Sequence, residues 1–230
     1  MKSGNITNGS KTAAKRRYDD ACGLAHALDL IGERWALMVL RELMLGPKRF
    51  SELRSDLPGI SANVLTQRLE ELEQRGLLVR RKLPPPSGAQ VYELTTWGYE
   101  AEPIVQTLGR WAARSPAHDT SLQISPVSIL LSLRTMIDLA KVGDLDARIG
   151  FRFGDETYVG HLTADALDIV RSDPATADVI FEGIPQGIAA AVYGDVPFEA
   201  LAAQNMLRVT GDLTLAKRFT TLFELPPKAF

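Results

Sequence analysis

The residues best placed to do chemistry in this chain lie along one face of one segment. The stretch ISANVLTQRLEELEQRGLL, residues 60–78, opens on Ser61 as an N-cap, holds no Pro or Gly as far as Arg75, and stops at Gly76, which predicts a helix. At about 100° per residue, Leu65, Leu69 and Leu72 share one side while Asn63, Thr66, Gln67 and Glu70 take the other. An Asn or Gln amide can pair with the N6/N7 edge of adenine, and a Thr can meet a phosphate or a thymine methyl. Asn63, Thr66 and Gln67 are therefore the candidates for reading bases in duplex DNA, with Ser61 at the mouth of the helix counted among the contacts. Taken alone, a polar face opposite a leucine stripe is more simply a solvated surface, so the neighbouring elements must decide. Three basic groups flank the helix: Lys48 and Arg49 ahead of the preceding helix, Arg68 toward the core flank, and the run Arg80, Arg81, Lys82 just after it. All are candidates for phosphate contacts.

The elements around this segment can be read from periodicity. Residues 22–45 predict two helices meeting near Gly32, and a short helix follows at 51–57 before Pro58 and Gly59. Beyond the polar-faced helix, residues 77–83 and 90–95 read as two strands around the stiff tip Pro84, Pro85, Pro86, Ser87, Gly88, Ala89, and a helix follows over 96–114 with Pro103 as a kink or a late start. Helix, helix, helix, strand, strand, helix, with a polar-faced third or fourth helix ahead of a basic hairpin, is the element order of a winged helix-turn-helix. The polar, proline-ended stretch around residues 116–125 reads as a linker. After it come a helix at 127–140, alternation in ARIGFRF, short strands in ETYVGHLTA, ALDIVRS and ADVIFEG, helices from Pro185 and Pro197, a strand in MLRVTG and a terminal helix. The expected class is α+β: a basic arm over 1–17, a winged helix over 18–115, a linker over 116–125, and an α/β sandwich with a mostly antiparallel sheet over 126–230.

Composition narrows the function classes. With 230 residues, 45% apolar and 23% charged content, the chain is neither disordered nor collagen-like, and a single cysteine, Cys22, forbids an intramolecular disulfide. No apolar run approaches the roughly 18 residues of a bilayer span and the start lacks an apolar signal core, so the expectation is a cytoplasmic protein with no membrane partner. The net charge of −2 hides an asymmetry: residues 1–115 carry 17 Lys and Arg against 13 Asp and Glu, and residues 116–230 carry 9 against 15. A basic front half suits a polyanion. His26, His118 and His161 are far apart and no phosphate loop, zinc-protease or nucleophile-elbow pattern occurs, so neither an enzyme nor a bound cofactor or metal is expected. Adjacent Asp155 and Glu156 read as a turn rather than a catalytic pair.

The order GERW, LREL, RFSEL, PGIS, L-x-x-R-L-x-x-L and GL within residues 22–114, followed by YELTTWG, resembles the HxlR-type winged-helix transcription regulators. The resemblance implies a homodimer paired through the first and last helices of this unit, setting two recognition helices on a palindromic duplex site. In some members the cysteine matching Cys22 senses oxidants or electrophiles; here Gly23 stands where the family usually has Pro, and the alternative is a buried structural thiol. Residues 125–230, through FEGIPQGIAAAVYGDVPFEALAAQNMLRVTGDLTLAKRFTTLF, resemble sterol-carrier-protein-like domains. That second resemblance implies a cavity for a hydrophobic small molecule, lined by Phe151, Phe153, Phe181, Ile184, Ile188 and Val192 and closed by Leu207 and Phe219; the alternative is a filled core. The expected function is a sequence-specific, dimeric DNA-binding transcription regulator controlled by such an effector. The competing expectation is a hydrophobic-ligand carrier whose winged helix only dimerises.

Overall fold

The computed structural model describes residues 18–230, so the arm expected over residues 1–17 lies outside the described residues. Helix α1 (Gly23–Ile31) and helix α2 (Ala36–Leu43) are separated by a turn through Gly32, in which Trp35 takes a left-handed backbone at φ 78°. Helix α3 (Phe50–Asp56) starts one residue before the expected position 51, because the Glu52 carboxylate accepts from the Arg49 N–H. Helix α4 (Ala62–Gln74) is the polar-faced helix, and the Ser61 hydroxyl accepts from the Val64 N–H at 3.3 Å. Strands β1 (Leu78–Lys82) and β2 (Gln90–Leu94) pair antiparallel from Leu78↔Leu94 to Lys82↔Gln90. Lys48 adds a single bridge to Tyr92 on the free edge of β2.

The helix expected over 96–114 is two. A short α5 (Thr96–Tyr99) is followed by α6 (Glu102–Ala113), with Pro103 in the first turn where a missing N–H is harmless. Residues 114–125 hold neither helix nor strand, and Ser125 then caps α7 (Pro126–Met136). That helix stops four residues before the expected end, because Ile137 turns extended to bridge Phe223, leaving a separate turn of helix α8 (Leu139–Val142). Strands β3 (Ala147–Phe153), β4 (Glu156–Leu162), β5 (Leu167–Arg171) and β6 (Val179–Gly183), helices α9 (Pro185–Tyr193) and α10 (Phe198–Ala203), strand β7 (Leu207–Gly211) and helix α11 (Leu213–Thr220) complete the chain. The sheet order is β5-β4-β3-β6-β7, antiparallel except for the parallel pair β3 and β6. The fold is thus α+β, a winged helix-turn-helix followed by a mixed five-stranded sheet with helices.

One face of that sheet is apolar because β3 alternates: Ile149, Phe151 and Phe153 are buried while Arg148 and Arg152 point away. Phe151, Phe181 and Phe219 meet with ring centroids 5.6 to 6.1 Å apart, and Phe219 meets Phe223 at 4.9 Å. The expected cavity lining is therefore a packed aromatic core: Phe151, Phe153, Phe181, Ile188, Val192, Leu207 and Phe219 are buried against neighbours, and Ile184 is 44% exposed at the start of α9. A surface cleft of about 600 Å³ lies elsewhere, between α5, α6 and the turn before β5, lined by Tyr99, Glu102, Gln106, Arg134 and Asp168.

The two halves meet across a buried charge cluster. Lys48 is 1% exposed, so the expectation that it reaches a phosphate is corrected: its ammonium is enclosed by Glu42 of α2 at 3.3 Å, Asp56 of α3 at 2.5 Å and Glu156 of β4 at 3.5 Å. Glu42, fully buried, also accepts from Arg41 at 2.6 Å and from the Ser125 hydroxyl at 2.7 Å. Burial alone would pull the Lys48 pKa down; Glu42, Glu156 and Asp56 outweigh it and hold the ammonium above its ordinary value.

Two stability changes follow. Phe219→Ala should lower the free energy of unfolding by about 3–5 kcal/mol, read from urea denaturation, because the rings around it cannot collapse onto an alanine. Lys48→Met should lower it by about 3–5 kcal/mol as well, because Glu42 then keeps its charge at zero exposure with one cation fewer. A loss below about 1 kcal/mol in either variant would contradict the packing described here.

Candidate nucleic-acid interface

Helix α4 is fixed by its apolar stripe, in which Leu65, Leu69 and Leu72 are each at most 1% exposed. The stripe turns Asn63, Thr66, Gln67 and Glu70 outward, and all four are exposed. Three of them are the residues expected to read bases, and they occupy the first two turns, behind the Ser61 cap. Glu71 faces the flank: it pairs with Arg68 and lies 3.9 Å from Arg75, and it accepts from the Gln67 amide nitrogen at 3.1 Å. That bond holds Gln67 along the helix.

Arg68 does not reach the outer face. It is 7% exposed, ion-paired to Glu71 and 3.8 Å from Glu33, with its Nε buried and without a partner among the described residues. The phosphate role expected for Arg68 is corrected on that ground: a position one residue after Gln67 rotates the side chain into the leucine side. Arg49, by contrast, is exposed, and its Nη2 donates to the Ser87 hydroxyl at 3.2 Å, which ties the start of α3 to the wing tip.

On the wing, Arg80, Arg81 and Lys82 are all exposed. Arg80 is held by Glu73 at 2.9 Å and lies 5.7 Å over the Tyr92 ring; Arg81 is held by Glu93 on the paired strand. The hydrogen bonds that both guanidiniums donate to those carboxylates raise their pKa, so their charge is never in question. Lys82 makes no ion pair among the described residues. The structure therefore brings α4, Arg49 and the wing together on one exposed surface, with two of its arginines already partnered by acids.

Cys22 is exposed at the N-cap of α1, its backbone N–H donating to Asp20 at 2.9 Å. The buried structural thiol is corrected accordingly. Sequence reading missed Glu42, Asp56, Ser125 and Arg171, and it took Glu156 for a turn residue, whereas Glu156 opens β4. Only Glu42 left a trace, since it lies among Val39, Leu40 and Leu43 on the buried side of α2, where a carboxylate demands a partner.

Comparison with known proteins places the match on this surface. The family profile described as HxlR-like helix-turn-helix covers residues 30–119 and ends before α7. The HTH-type transcriptional regulator YodB of Bacillus subtilis (strain 168) is 38% identical over 86 residues, 37% of this chain and 77% of that protein. YvaP, an HTH-type transcriptional regulator of the same strain, is 36% identical over 86 residues, 37% of this chain and 80% of its own length. The solved reduced form of YodB shares 35% identity over 43% of this chain and 98% of that one, with a TM-score of 0.38. With such identity carried across more than two thirds of known relatives, and with the profile spanning the helices and the wing just described, the chain belongs to the HxlR-like helix-turn-helix family.

Proposed function

We propose that the chain is a sequence-specific, dimeric DNA-binding transcription regulator, acting in the cytoplasm, in which residues 18–115 read the duplex, residues 116–125 link, and residues 126–230 form the second domain. The observation that carries this reading is the exposed amide and hydroxyl face at the start of α4, flanked by Arg49 and by the basic wing. A helix N-terminus of that kind enters a major groove while a wing follows the adjacent backbone. The relatives' names, HTH-type transcriptional regulators, favour the same reading.

Pairing is supported by a second surface. Helix α6 buries none of its residues, yet Ile104, Leu108 and Trp111 recur at helical spacing and are 48%, 43% and 72% exposed. On α1, Leu24 and Leu28 are 69% and 42% exposed. Apolar stripes on the first and last helices of the reading unit fit a second copy of this chain, as the family resemblance implies. A hydrophobic effector inside the second domain would have to open the packed cluster of Phe151, Phe181 and Phe219, so neither effector control nor the carrier function gains support from that core. No helix among the described residues is long and apolar enough to cross a membrane.

The decisive experiment is selection from a pool of random duplexes at a stated salt concentration. Enrichment of a palindrome is expected, and no enrichment would overturn the proposal. On the selected site, Asn63→Ala or Gln67→Ala should each cost about 1–3 kcal/mol and relax specificity. Lys82→Ala should weaken every duplex and flatten the salt dependence by about one counterion, whereas Glu93→Gln, by releasing Arg81, should steepen it. Trp111→Asp should convert the dimer to a monomer in analytical ultracentrifugation and abolish palindrome preference.

A further inference from the structure

We infer that Glu156 and Arg171, at the corner where β4 and β5 pair, are positioning residues for the wing, so that the second domain is a working part of the nucleic-acid interface. The inference rests, for its consequence on DNA, on the regulator reading above. Its physical basis is the segment Pro47, Lys48, Arg49, three consecutive residues that each tie down a different part of the molecule. The Pro47 carbonyl accepts from Arg171 Nη1 at 3.2 Å. The Lys48 backbone exchanges two hydrogen bonds with Tyr92 of β2, N–H to carbonyl at 3.0 Å and the reverse at 2.8 Å, and so adds a one-residue bridge to the free edge of the wing. Arg49 crosses to Ser87 at the wing tip.

Glu156 completes this root from the other half. Before it meets Lys48 it is fixed on its own sheet: the Tyr158 hydroxyl donates to it at 2.6 Å and Arg171 Nη2 at 2.8 Å, with the Arg171 guanidinium 5.8 Å over the Tyr158 ring. The pairing of β4 with β3 and β5 fixes where that carboxylate stands. Lys48 already has Glu42 and Asp56 within the reading unit, so Glu156 is not required to neutralise it. What Glu156 and Arg171 add is direction, setting where residues 47 and 48 sit and hence where the edge of β2 sits. Both residues lie beyond residue 119, where the family profile ends, so this hold on the wing belongs to the architecture of this chain.

The test uses full-length Glu156→Gln and Arg171→Ala and has two arms. In the first, amide hydrogen exchange without DNA follows the Lys48 and Tyr92 amides against those of β6, which is remote from the cluster. Both variants are expected to speed exchange at Lys48 and Tyr92 by about fivefold to tenfold, the usual scale of coupling between packed neighbours, with β6 unchanged. In the second arm, the Kd for the duplex selected above should rise by about the same factor with an unaltered salt slope, because no phosphate contact has been removed. Unchanged exchange at Lys48 and Tyr92, equal acceleration at β6, or a loosened wing with unchanged Kd would each overturn the inference. Should the unsubstituted chain bind no duplex, the regulator reading falls, while the exchange arm still decides whether the second domain holds the wing root.

Discussion

The structure depends on one constraint: an ammonium group taken out of water must be surrounded by carboxylates, and the carboxylates around Lys48 come from three different elements. Glu42 is on α2, Asp56 on the last turn of α3 and Glu156 at the start of β4. Each is drawn to one point, so the relative placement of those elements is fixed by the position of a single nitrogen. Burial pushes the Asp56 carboxyl upward, and its bond to Lys48 pulls it back, so the ion pairing is sustained against desolvation rather than supplied freely. A cluster of this kind adds little net stability compared with a well-packed apolar substitute. Its contribution is geometry, since one nitrogen holds carboxylates from three separate elements.

That geometry decides which charges remain for a polyanion. Arg41, Lys48 and Arg171 are used within the cluster, and Arg68 and Arg75 are turned to Glu71. On the exposed side, Arg80 and Arg81 are paired, but at 40% and 42% side-chain exposure these pairs are screened by water, and a phosphate can replace the carboxylate. The surface is thus only moderately basic, so in the proposed function discrimination would fall on the amides of Asn63 and Gln67. The favourable feature of α4 is that its acids are sorted: Glu71 and Glu73 face arginines of the protein, which leaves Glu70 as the exposed carboxylate beside the reading residues.

Much of this was legible in the sequence because it follows from periodicity. The leucine stripe of α4, the Ser61 cap, the stop at Gly76 and the hairpin itself are local, and so is the outward turn of Asn63, Thr66 and Gln67. Lys48 and Arg49 show where local reading stops. As a basic pair before a helix they look equivalent, yet in an extended segment successive side chains point to opposite sides, so Arg49 reaches solvent and Lys48 the interior. The carboxylates that hold Lys48 inward come from three elements, one of them carrying Glu156, more than a hundred residues away. The aromatic residues of the second domain fail for a different reason: spacing shows that Phe151, Phe181 and Phe219 share an interior, but only their ring contacts show that the interior is filled.

The charge asymmetry between the halves acquires a structural meaning from these contacts. The acidic second half does not simply face water, because it spends carboxylates and carbonyls on the basic first half. Glu156 meets Lys48, Arg110 donates to the Thr135 carbonyl at 3.0 Å, and Arg114 donates to the Pro227 carbonyl at 3.2 Å. The exchange also runs the other way, with Glu102 of α6 paired to Arg134 of α7 at 3.0 Å and Lys228 donating to the Ala113 carbonyl at 3.1 Å. Helix α6 is therefore held on its inner side by the second domain while its outer side presents Ile104, Leu108 and Trp111. The wing root and the helix proposed to pair two copies are gripped by the same body. Any displacement of that body relative to α4 must move both the wing and α6, so in the dimer proposed above the separation of the two recognition helices and the reach of their wings cannot be set independently.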